Sequence, residues 1–191
     1  MIKKEYIPNI LTILRIFLIP VFIFYVLEKK FMIALICFFV ASITDWADGY
    51  FARKFDVESE FGAFWDPLAD KLLVLSAFYS FLQIQELDQI IYIWMVGVIS
   101  FRDISITALR IILQSKDDLV LVTSKIAKLK TFLQLVTIIW ILCFLAFQNL
   151  LIRYYDIGYF LMLATTLITL YTGLHYYYNN GKKLIYAISN K

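Results

Sequence analysis

Four aspartates stand at regular spacing in one stretch of this chain: Asp45 and Asp48 three apart, Asp66 and Asp70 four apart. Both spacings place a pair on one face of a helix. An ionised carboxylate is expensive to bury in an apolar setting, and several together repel one another. A divalent cation resolves that conflict, and hard oxygen ligands suit magnesium or manganese. Two such ions about 3.5–4 Å apart would make a two-metal phosphoryl-transfer centre. The neighbouring residues extend the same chemistry. Gly49 and Gly62 clear the backbone for a large ligand. Ala52 is small and lies one helical turn from Asp48. Arg53 is suited to hold phosphate oxygens bidentately, and Lys71 adds charge beside Asp70. Carboxylates, arginine and small residues together describe a site for a pyrophosphate-containing ligand. Acids that only solvate a loop or favour a helix N-terminus account for Asp56, Glu58 and Glu60, and for Asp66 before Pro67. They do not account for Asp45 and Asp48, which the pattern places at the C-terminal end of a helix, where negative charge is disfavoured.

The elements that must position these groups are membrane helices. The chain has 191 residues, is 62% hydrophobic and has a mean hydropathy of +0.77. A soluble domain holds about 45–50% apolar residues. Six apolar runs approach the roughly 20 residues that a spanning helix needs: Ile7–Leu27, Phe31–Gly49, Gly62–Leu82, Ile90–Leu113, Ser124–Phe147 and Ile157–Tyr178. Pro20 is a point where the first could divide into an interfacial piece and a spanning piece. The expected fold is an all-α integral membrane protein with six transmembrane helices, an N-terminal interfacial segment and one domain over residues 1–191. The basic start is read as a retained first helix, because no small-residue cleavage site follows it.

Charge sets the expected orientation. With the N-terminus inside, Lys3, Lys4, Arg15, Arg53, Lys54, Lys71, Arg110, Lys116, Lys125, Lys128, Lys130, Lys182, Lys183 and Lys191 fall on the cytoplasmic side. The outer loops hold only Lys29, Lys30 and Arg153. That asymmetry follows the positive-inside rule, so both termini and the aspartate stretch face the cytoplasm. The net charge of +3 is scattered between apolar runs, which excludes a nucleic-acid stripe. Cys37 and Cys143 read as small hydrophobes, His175 has no metal-ligand neighbour, and Thr165, Thr169 and Thr172 read as helix packing.

Taken in order, Asp45, two others, Asp48-Gly49, two others, Ala52-Arg53, eight others, Gly62, three others, Asp66, three others, Asp70 make up the complete signature of the CDP-alcohol phosphatidyltransferase family, and the chain resembles that family. PNILTILRIFLIPVF, DPLADKL, FRDISITALR and SKIAKLKTFLQL look like the bacterial phosphatidylglycerophosphate synthases within it, so the resemblance covers about residues 5 to 140. Asp103 stands where those synthases usually carry Glu, and Ala127 where many carry Gly.

The resemblance implies that an alcohol attacks the β-phosphorus of a CDP-linked lipid and CMP leaves. For the synthases the lipid is CDP-diacylglycerol and the alcohol glycerol 3-phosphate. It implies a divalent metal site, which the oxygen ligands above suit to magnesium or manganese, with Asp45, Asp48 and Asp66 as ligands and Asp70 as the general base that also touches a metal. Asp45, Gly49, Ala52, Arg53, Gly62 and Lys71 would contact the CDP-lipid. It also implies six spans in the cytoplasmic membrane, a cytoplasm-facing site and a homodimer.

The acceptor is a small dianion and needs fixed positive charge. Asp103, Thr107 and Arg110 fall on one face of the fourth helix, and Ser124, Lys128 and Thr131 on one face of the fifth, with Lys125 adjacent. Thr107, Arg110, Lys125 and Lys128 are therefore the acceptor-phosphate candidates; Lys130 ranks below them. Arg102 is expected to pair with Asp103 or another buried acid. Asn9, Thr12 and Arg15 either line the nucleotide entrance or form the polar face of an interfacial helix. Serine, inositol phosphate and phosphatidylglycerol are the alternative acceptors. A divalent-cation transporter is the rival from another class, and it would place acids near the bilayer midplane on several helices.

Overall fold

The computed structural model describes residues 7–55, 60–114, 125–147 and 154–189. Among these, every regular element is helical: α1 (Ile7–Leu27), α2 (Phe31–Phe55), α3 (Glu60–Phe81), a 3₁₀ turn (Gln85–Leu87), α4 (Ile93–Gln114), α5 (Lys125–Ala146) and α6 (Tyr155–Ser189). The elements stand where the apolar runs place them, with three differences that matter to the site. α1 passes through Pro20 without a break. Proline deletes one backbone donor, and a membrane-type helix tolerates that loss. α2 continues ten residues past Asp45 to Phe55. Asp45 and Asp48 therefore sit inside a helix and not at its C-terminal end, so the helix dipole does not disfavour them. Glu60 opens α3 and is not a loop charge; there it meets the favourable end of the helix dipole.

The turn from α1 to α2 is set by Lys29, whose φ of 56° is the one positive value at a non-glycine residue among the described residues. Its N–H bonds to the Val26 carbonyl and the Lys30 N–H to the Tyr25 carbonyl, the paired closure that ends many helices. Lys29 Nζ also reaches Glu86 Oε1 at 2.9 Å, tying this turn to the loop before α4. The bond from Lys29 holds the Glu86 carboxyl below its ordinary range, so the folded state favours the ionised form. The contribution is complete above the ordinary carboxylate pKa and is lost as pH falls through the lowered folded value. Glu86→Gln is expected to lower stability by about 0.2–1 kcal/mol at neutral pH and by nothing in acid. Thermal unfolding of both proteins at the two pH values checks this; a deficit that persists in acid would assign the effect to packing.

α1 packs along α2 and α3, α5 along α2, α3 and α6, and α4 along α6 and α3. Phe22, Phe38, Phe78, Phe81 and Phe144 are wholly buried between them, and Phe22 meets Phe38 at 5.7 Å between ring centres. The outer faces are the reverse of a soluble protein's. Phe17 is 66% exposed, Phe101 72% and Ile93 77%, a distribution that suits hydrocarbon. Among the described residues three helical stretches are long and apolar enough to cross a membrane: Asn9–Leu27, Lys128–Ala146 and Tyr155–Asn179. Phe31–Asp45 is a shorter apolar stretch. α3 and α4 have 22 residues each, about 33 Å of helix, but acids and bases interrupt their apolar runs. Those interruptions are the candidate site.

Thr165 meets Thr137 across α5 and α6 at 2.7 Å, while Thr169 and Thr172 bond back to carbonyls of their own helix. The threonine stripe serves packing. Two glycines on α4 and α6 contrast in a testable way. A Cβ at Gly158 would stand 2.5 Å from the Trp140 ring, whereas one at Gly97 would meet nothing within 4 Å. Gly158→Ala is expected to cost about 1–3 kcal/mol through overpacking. Gly97→Ala should be neutral or stabilise by up to about 1 kcal/mol through helix propensity. Melting temperatures in one detergent compare the two, and equal shifts would contradict the packing described.

Candidate active site

The packing of α1 against α2 and α3 decides how the acids are held. Arg15 is fully buried, and its Nη1 lies 2.8 Å from Oδ1 of Asp45, which is half-exposed. One turn earlier, the Thr12 hydroxyl donates a short hydrogen bond to Asp66 Oδ1. Asp70 accepts a hydrogen bond from its neighbour Lys71, Nζ to Oδ2 at 2.8 Å. Asp45 lies within electrostatic reach of Asp70, Arg15, Lys71 and Asp66 together. The structure thus brings Asp45, Asp66, Asp70 and Lys71 into one neighbourhood and adds Thr12 and Arg15 to it. The sequence had offered two uses for those α1 residues. Their spacing of three marked a common face, but the identity of their partners is a long-range fact.

A second polar cluster lies next to the first. The Asp103 carboxylate is wholly buried on α4. It accepts from Lys130 Nζ at 2.7 and 2.9 Å, from Gln134 Nε2 at 3.0 Å and from Arg102 Nη1 at 3.1 Å. Arg102 therefore pairs with Asp103 as expected. Lys130, ranked below its neighbours, is buried on α5, whereas Lys128 is exposed. The available signal was Lys130 and Gln134 four apart on one face of a largely apolar helix. Lys71 lies within electrostatic reach of both Asp103 and Arg102, so the acidic and basic clusters adjoin. Thr107 is half-buried one turn beyond Asp103. Asp48, Gly49, Ala52 and Arg53 ride on α2, Gly62 on α3, Arg110 on α4 and Lys125 at the start of α5; their side chains lie outside the described residues.

The donor chemistry fits a hard divalent cation: acidic oxygens from two helices face one another with basic groups around them. Among the described residues no three such groups converge closely enough to hold an ion by themselves. Arg15, Thr12 and Lys71 already engage one oxygen each of Asp45, Asp66 and Asp70. The remaining oxygens, with Asp48, are the ones a cation would use.

Apolar helices around a charged cluster of this kind suit a protein that works at a membrane, with its polar groups reserved for a function. The CDP-alcohol phosphatidyltransferase family matches over residues 5–171, and the chain belongs to that family. Three relatives carry the name CDP-diacylglycerol–glycerol-3-phosphate 3-phosphatidyltransferase. The Bacillus subtilis (strain 168) protein is 36% identical over 146 residues, 69% of this chain and 73% of its own. The protein of Rickettsia typhi is 38% identical over 176 residues, 89% and 94% of the two chains. That of Haemophilus influenzae is 43% identical over 111 residues, 56% and 58% of the two chains.

Proposed function

We propose that this chain transfers a phosphatidyl group from CDP-diacylglycerol to glycerol 3-phosphate, giving phosphatidylglycerophosphate and CMP. The observation that carries the reading is the family match over residues 5–171, and the names of the relatives support this acceptor. The acceptor's hydroxyl oxygen bonds to the phosphatidyl phosphorus. The bond from that phosphorus to CMP breaks, and CMP leaves with the electron pair. Asp70 takes the hydroxyl proton as general base. Asp45, Asp48, Asp66 and Asp70 would hold magnesium or manganese, two ions in number, which when bound offset charge on the pyrophosphate and the departing CMP. Arg53 and Lys71 hold pyrophosphate oxygens, and Gly49, Ala52 and Gly62 leave room for the cytidine.

On the acceptor side Thr107, Arg110, Lys125 and Lys128 hold the phosphate dianion. Arg110→Ala is then expected to raise KM for glycerol 3-phosphate about tenfold or more with little change for the lipid. Equal effects on both would count against that role. The enzyme works as a homodimer with six spans in the cytoplasmic membrane, termini and site inside, in line with the distribution of basic residues. That placement keeps the acyl tails in lipid, the nucleotide in water and the reacting phosphate at their boundary.

The test is CMP release from CDP-diacylglycerol by purified protein in detergent with magnesium. Glycerol 3-phosphate, serine, inositol phosphate and phosphatidylglycerol are offered separately, each with an EDTA control. Metal-dependent release with glycerol 3-phosphate alone is the expected result. Release with another acceptor would keep the carboxylate chemistry and overturn the acceptor. No release with any of them, from folded protein, would overturn the transferase reading.

A further inference from the structure

Asp103 stands between two helices that, among the described residues, pack little against each other. α4 makes its extensive contacts with α6 and α3, and α5 with α6, α2 and α3; α4 and α5 are not a closely packed pair among the described residues. The Asp103 carboxylate bridges them: both of its oxygens accept from Lys130 and one also from Gln134. Both sides of the bridge are buried: Asp103 is 1% exposed, Lys130 1% and Gln134 0%. Packing alone would be served as well by apolar side chains, since buried ion pairs are weak sources of stability. The carboxylate also accepts from Arg102, so one anion serves two cations and the cluster keeps a net positive charge.

What the bridge aligns is informative. Thr107 and Arg110 follow Asp103 on α4 at i+4 and i+7, and Lys125 and Lys128 precede Lys130 on α5. These are the groups proposed above to hold the acceptor. The same cluster lies within electrostatic reach of Lys71, whose ammonium bonds Asp70. A shift of α4 against α5 would therefore change the span between the two halves of the acceptor pocket and their position relative to Asp70.

We infer that Asp103 is a positioning residue for the phosphate-bearing acceptor, acting through Lys130 and Gln134 to fix α4 against α5. This rests on the transferase reading above. It assigns Asp103, Lys130 and Gln134 a place in acceptor binding that their burial keeps them from having by direct contact.

Steady-state kinetics on three variants test it, with KM for glycerol 3-phosphate and for CDP-diacylglycerol measured separately. Gln134→Met removes one bond to Asp103 while keeping size and all charges, and it should fold. It is expected to raise the acceptor KM about threefold or more and leave the lipid KM within about twofold. Asp103→Asn should raise the acceptor KM about tenfold or more, and Asp103→Glu, which retains the charge, should recover most of that loss. If Asp103→Asn fails to fold, Gln134→Met and Asp103→Glu still decide the matter. Unchanged acceptor KM in Gln134→Met, or equal rises in both KM values, would overturn the inference and leave the bridge structural. Wild-type protein that releases no CMP with glycerol 3-phosphate would instead overturn the transferase reading, and this inference with it, before any variant is compared.

Discussion

Asp70→Asn protein is expected to fold, to bind CDP-lipid and to turn over at least about a thousandfold more slowly than wild type. A positioned general base is worth about 10²–10⁴ in rate, and Asp70 is also proposed as a cation ligand, so both contributions go together. Asparagine keeps the shape of the side chain. It can still accept a hydrogen bond from Lys71 Nζ, which lies 2.8 Å from Asp70 Oδ2. Asp70 is half-buried and faces Lys71 rather than the apolar core, so the folded state has little to lose. The comparison is kcat for CMP release alongside the melting temperature and the affinity for CDP-diacylglycerol in the same detergent. A large fall in kcat with the other two unchanged places Asp70 in the chemistry. Wild-type turnover in the variant would remove it as base. A fall in all three would show instead that the carboxylate holds α3 in place.

The largest expected effect on stability lies at Lys130. Lys130→Met removes the closest cation from a carboxylate with no exposed side-chain surface. Breaking a buried pair from one side costs about 3–5 kcal/mol, because the remaining charge is left without compensation. Arg102 at 3.1 Å and Gln134 at 3.0 Å remain on Asp103, which places the expectation toward the lower end. For a chain of this length that corresponds to a fall of roughly 6–20 °C in melting temperature. The double variant Lys130→Met/Asp103→Leu removes both charges and should recover part of the loss, so the two single effects should not add. Thermal unfolding of the three proteins in one detergent measures this. A shift below about 2 °C in Lys130→Met would mean that Arg102 alone neutralises Asp103.

The sequence by itself determined whatever depends on spacing within one segment. The apolar runs placed all six helices, because a run long enough to cross a membrane has only helix as a way to satisfy its backbone there, though α2 runs six residues and α6 eleven residues past the expected ends. The i, i+3 and i, i+4 spacings put Asp45 with Asp48 and Asp66 with Asp70, because a helix turns about 100° per residue whatever surrounds it. The signature from Asp45 to Asp70 carried the family, which the match over residues 5–171 then established.

Helix ends were less legible. Hydropathy falls after Asp45, but hydrogen bonding along α2 does not stop there and runs on to Phe55. A charged stretch at a membrane surface loses its apolar signal before it loses its helix. Only the tertiary structure decided the partners. Thr12 meets Asp66 across 54 residues of sequence, and Lys130 and Gln134 meet Asp103 across 27 and 31. Three lysines open α5 within six residues, and each had the right charge for Asp103. Which one is buried against it depends on the rotation of α5 about its axis, and packing against α2, α3 and α6 sets that rotation. Charge and spacing named the candidates, and burial, which no local pattern contains, chose among them.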